Sequence, residues 1–85
     1  MEIKRKIKRV ERSLLRYCFG GQPEYTIGQC CDYIHWLNKF HKIPQEDIDF
    51  LADMAVVAMG MMPADEEKLF WAEYYRRKER ETGGI

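Results

Sequence analysis

Few side chains in this sequence can carry covalent or metal chemistry, and their spacing does not assemble them. Ser13 is the one serine, and no nucleophile-elbow sequence surrounds it. Cys31 and His35 stand four apart, a spacing that puts two metal donors on one helical face, with Cys18 and His41 as the further donors to consider. No CxxC or HxxxH spacing accompanies them, so buried thiols and half-exposed imidazoles are the expected outcome, without a metal. Asp32 lies one helical turn from His35, and Asp49 and Asp53 stack at i and i+4. Such pairs are ordinary on solvated helices and drive no reaction alone. With no phosphate loop or paired-carboxylate motif either, the sequence predicts a non-enzyme with no catalytic residue, metal or cofactor.

Recognition chemistry is better represented. Arg5, Arg9, Arg12 and Arg16 fall on one side of a helical wheel, with Lys4 and Lys8 along a flank. Planar guanidinium groups grip carboxylates or phosphates through paired hydrogen bonds, which a lysine ammonium does not reproduce. A plain solvated basic face, partly neutralised by acids elsewhere in the fold, is the competing reading. Tyr33, Trp36 and Phe40, three and four apart, form an aromatic ridge of the kind that anchors binding hot spots when it is exposed and fills a core when it is not. Near the end of the chain Phe70, Trp71, Tyr74 and Tyr75 run into Arg76, Arg77, Lys78 and Arg80, a mixture able to stack on bases or grip a protein. Intrahelical pairing of Glu73 with Arg76 and Arg77, and of Arg77 with Glu81, is the alternative use of those cations. The candidate partner-binding set is therefore Arg5, Lys8, Arg9, Arg12, Arg16, Tyr33, Trp36, Phe40, Trp71, Tyr75, Arg76, Arg77 and Arg80.

These residues need helices to position them, and the punctuation supplies four, over about 2–18, 26–41, 45–59 and 64–81. Opposite the arginines, Ile3, Ile7, Val10, Leu14 and Tyr17 make one apolar stripe. Gly20-Gly21 ends that helix. Thr26 caps the second, whose core stripe is read as Ile27, Cys30, Cys31, Ile34, Leu37 and His41. Pro44 opens the third, with Glu46 and Asp47 at its positive end. That helix has Ile48, Leu51, Ala52, Ala55 and Met59 on one stripe and Phe50, Met54, Val57 and Ala58 over much of the rest, which predicts a central, buried element. The fourth starts with Asp65, Glu66 and Glu67 and stops before Gly83-Gly84. No strand pattern, repeat or low-complexity segment interrupts the series. The predicted fold is a compact all-α, four-helix bundle-like single domain over 1–85 with short connections.

Composition narrows the function classes. Net charge is zero but unevenly spread: residues 1–18 hold seven Lys/Arg against two acids, and residues 19–65 hold two Lys against seven acids. A uniformly basic nucleic-acid binder and a uniformly acidic mimic are both disfavoured. A helix-turn-helix over 48–75 would aim Asp65, Glu66 and Glu67 at phosphates, which repels them. Three cysteines, two adjacent, with no signal peptide, predict free thiols in a reducing cytoplasm. No run approaches the ~20 apolar residues of a bilayer span, and the narrow aliphatic stripe suits helix packing better than a membrane surface. The reading that follows is a small cytoplasmic docking protein with a protein partner. It has the general character of a phage or mobile-element accessory protein that inhibits or modulates a host nucleic-acid-processing or defence complex, anti-CRISPR proteins included. No motif ties it to a particular family. A DNA- or RNA-binding regulator using helix one or the basic end of helix four is the alternative, and the first stripe can also build a homodimer seam.

Overall fold

The structure, a computed structural model, describes residues 2–82, and describes side chains over 3–80. Four α-helices follow one another: α1 (Glu2–Phe19), α2 (Ile27–Phe40), α3 (Gln45–Ala58) and α4 (Ala64–Thr82). Among the described residues there is no strand. The predicted stop at Gly83-Gly84 and the side chain of Glu81 lie outside the described residues.

Local chemistry sets each boundary. Thr26 is the cap of α2 rather than its first residue, with extended backbone angles. Its hydroxyl accepts from the Gln29 backbone amide at 3.1 Å while the Gln29 side chain accepts from the Thr26 amide at 2.9 Å, a reciprocal capping box. Pro44 likewise sits one residue ahead of α3, where its fixed φ of −53° starts the turn and its carbonyl accepts from Asp47 and Ile48. At the other end of α3, the Gly60 amide donates to Val57 and the Met61 amide to Val56. That double closure needs a left-handed residue at Gly60, which has φ +70°.

α3 packs against each of the other three helices, and α1 also packs against α2. The core is Val10 and Leu14 from α1, Cys30, Ile34 and Leu37 from α2, Ile48, Leu51, Met54, Ala55 and Val57 from α3, and Phe70 from α4. Four expected core residues are exposed instead. Tyr17 is 38% exposed and Met59 43% exposed, while Ala52 and Cys31 are also exposed. The reason is the same in each case: a neighbouring helix covers only part of a wheel, so a stripe drawn by periodicity overshoots where the partner ends or diverges. α3 accordingly has an exposed side at Ala52 and Asp53 instead of being buried all round.

One polar residue takes a core place. Ser13 is 1% exposed, and its Oγ accepts a hydrogen bond from the Tyr25 amide at 3.2 Å, which folds the α1–α2 connection back over α1. Val10 and Leu14, the middle of the α1 stripe, have no exposed surface and pack wholly inside the molecule. Leu14→Ala should therefore cost about 2–5 kcal/mol of unfolding free energy. Tyr17→Ala, at the end of the same stripe, should cost about 1 kcal/mol or less. Urea denaturation of the two variants checks the ranking, and equal losses would contradict this account of the core.

Candidate functional site

Burial of Val10 and Leu14 fixes how α1 is rotated, and that rotation sends Arg5, Lys8, Arg9, Arg12 and Arg16 to the surface. They are not equivalent. Arg16 Nη1 donates to the Gln22 carbonyl at 2.6 Å, which ties it to the loop beyond its own helix. Arg9 Nε lies 3.6 Å from Glu24 Oε2, an exposed pair of small energetic weight. Arg5, Lys8 and Arg12 make no hydrogen bond or ion pair among the described residues.

Lys6, at the edge of the basic face, is built into the fold. Its Nζ donates to the Tyr25 hydroxyl at 3.2 Å and stands 4.3 Å from the centre of the Tyr33 ring and 5.3 Å from that of Tyr25. The two rings are themselves 4.8 Å apart. The hydroxyl contact raises the ammonium pKa above its usual value, against the opposing effect of desolvation. Tyr33 is consequently half-buried beneath a cation and is not a free member of the aromatic ridge.

The other two ridge residues do reach the surface, Trp36 at 38% and Phe40 at 65% exposure. Trp36 is steadied by His41, whose ring meets it edge-on at 4.4 Å. His41, expected in the core stripe, lies half-buried on this wall because the chain leaves helical geometry there (φ −129°, ψ 146°). Between the wall of Trp36 and His41 and that of Arg5, Lys6, Lys8, Arg9 and Arg12 runs an open groove of about 900 Å³. Its lining includes Ile3 and, among the described side chains, no acid. A recess of about 400 Å³ adjoins it, sharing Lys6 and Trp36 and adding Tyr33 and Asp32.

The aromatic and basic residues of α4 form a different region, and several are spent on the fold. Trp71 is half-buried between Phe19 and Phe70, with centroids 4.8 and 5.0 Å away, and its indole N–H donates to Glu67 at 3.2 Å. Arg77 holds α4 onto α3: Nη1 donates to Asp47 at 3.1 Å, Nε lies 3.4 Å from Glu73, and its guanidinium carbon sits 4.3 Å above the Phe50 ring. Arg76 pairs with Glu73 on its own helix. Arg80 and the 57% exposed Tyr75 remain on the surface, Arg80 at the rim of a cleft of about 500 Å³ among α1, α3 and α4. That cleft carries Glu11, Glu46, Asp47 and Glu73 beside its cations, so it has no single sign of charge.

Acids gather elsewhere. Asp53, on the exposed side of α3, has its pKa raised by partial desolvation of its carboxyl and by the charges of Asp49 and Glu66, which places these three carboxylates near one another across α3 and α4. Asp65 and Glu66 are exposed at the start of α4, where a DNA-reading helix would meet phosphates. Cys31 and His35 share the exposed side of α2, and among the described residues no three His, Cys, Asp or Glu side chains converge on a metal position. No helix among them is long and apolar enough to cross a membrane. No protein-family model matches the chain, and no curated protein or solved structure is significantly similar to it.

Two outcomes follow from these environments. Burial pushes the Cys30 thiol up to about 11, with the neighbouring Cys31 adding to the effect, whereas Cys31 is exposed. Brief iodoacetamide treatment of the native protein should label Cys31 and spare Cys30, as read by peptide mass spectrometry; comparable labelling of both would contradict the packing of α2. For Asp53 the folded pKa exceeds the unfolded one, so ionisation opposes folding and stability is lost as pH rises through its titration. Asp53→Asn should thus raise the melting temperature near about pH 7 and lose that advantage near about pH 3.

Proposed function

We propose that this chain is a non-catalytic docking protein that binds the acidic surface of a partner protein through the basic face of α1. One observation carries the reading: five cations of α1 share a groove with Trp36 and His41, and among the described side chains no acid lines it. Positive charge so placed steers an anionic surface and fixes its orientation, and an exposed Trp supplies the apolar contact area that charge alone does not. Steric occlusion of an acidic patch on a larger complex needs no reactive group, which suits the modulator or inhibitor role expected from the size and composition of the chain.

Nucleic acid fits the same groove less well. Glu24 stands beside Arg9 and Asp32 lines the adjoining recess, so the positive surface is short and bounded by carboxylates. A duplex asks for a long footprint of cations and gains affinity by releasing counterions along it.

The test is affinity capture of the tagged protein from its native host, with and without nuclease, beside a variant carrying Arg5→Glu, Arg9→Glu and Arg12→Glu. All three arginines are exposed, so the variant should keep its helical circular dichroism. The expected result is a stoichiometric protein complex that survives nuclease and is lost in the variant. Capture that vanishes with nuclease would transfer the groove to nucleic acid, and capture unaffected by charge reversal would remove the site.

A further inference from the structure

We propose that the groove between α1 and α2 takes an extended segment of the partner in which carboxylates alternate with aromatic side chains. The inference rests on the docking reading above and specifies what the partner presents. The two walls differ in chemistry, with Arg5, Arg9 and Arg12 on one and Trp36 braced by His41 on the other. An extended strand sends successive side chains to opposite sides, so an acid–aromatic alternation meets both walls at once.

The spacings agree. Along the α1 axis Arg5 and Arg9 are about 6 Å apart and Arg9 and Arg12 about 4.5 Å, from the helical rise. Carboxylates on every second residue of a strand recur at about 6.6–6.8 Å, a difference that long guanidinium side chains absorb. Trp36 is already ordered by the ring contact at 4.4 Å, so little freedom is lost when a second ring packs against it. Lys6 adds fixed charge to the arginine side, because Tyr25 and Tyr33 hold its ammonium in place. The carboxylates of Glu24 and Asp32 beside the groove select further. A phosphodiester strand carries charge at every nucleotide and runs on into them, whereas a protein segment carries charge only where its sequence places it.

Fluorescence anisotropy at about physiological salt tests this with a labelled peptide of about five residues, alternating aspartate and phenylalanine, against its alanine-for-phenylalanine counterpart and an oligothymidylate of equal length. The alternating peptide should bind about tenfold tighter than the alanine one, the equivalent of one good aromatic pair. Trp36→Leu should remove that margin and Trp36→Phe should keep most of it. Equal binding of the two peptides, a margin that survives Trp36→Leu, or tighter binding of oligothymidylate would each overturn the assignment. If the triple arginine reversal abolishes partner capture while the alternating peptide fails to bind, the occupant is wrong and the docking reading stands. If capture ignores the reversal, both fall.

Discussion

Everything on the surface depends on the angle at which α1 is rolled about its own axis. Val10 and Leu14, with no exposed area, lock that angle against α2 and α3, and Ser13 secures it by holding the returning loop through the Tyr25 amide. Dispersion and desolvation set the roll, since these forces need close contact and tolerate no half-turned alternative. Of the arginines, Arg16 and Arg9 add only exposed contacts to the following loop, and Arg5 and Arg12 add no hydrogen bond or ion pair among the described residues. They are carried to the outside as the other half of a helix whose first half is spoken for, which is why a purely internal packing decision determines where the positive potential points.

Lys6 shows how the same helix avoids a conflict at the border between its two halves. A lysine there faces neither open water nor the core, and the fold gives it two tyrosine rings and a hydroxyl. Cation and ring face attract, and the hydroxyl accepts the hydrogen bond that a solvating water would otherwise accept. The contact joins α1, the connection that follows it and α2. It also holds Tyr33 and leaves its ridge neighbours Trp36 and Phe40 as the aromatic surface of α2.

The helices were legible in the sequence because their signals are local. Thr26 with Gln29, Pro44 before two acids, and glycine after α3 each act within a few residues of themselves, so periodicity and capping chemistry agree with the structure closely. The orientation of the arginines was legible for the same reason. What the sequence did not reveal is cross-helix. Nothing near Lys6 announces Tyr25 and Tyr33, and nothing near Arg77 announces Asp47 or the Phe50 ring thirty and twenty-seven positions away in the numbering. Nor does a helical wheel say where a neighbouring helix stops covering it, so periodicity puts Tyr17, Cys31, Ala52 and Met59 in the core and His41 in a stripe, whereas the first four are exposed and His41 stands on a groove wall.

α4 is attached differently from the rest. Its backbone comes close to α3 alone, and side chains such as Arg77 on Phe50, Lys78 with Glu11, and Trp71 against Phe19 complete its hold. α1, α2 and α3, by contrast, each pack against the other two. An element with one backbone neighbour can lift away while a three-helix remainder stays closed, so amide exchange with solvent should be fastest in α4 and slowest in α3. Stability in this small domain is therefore graded, with a tightly knit trio that carries the groove and a fourth rod that behaves as a detachable brace.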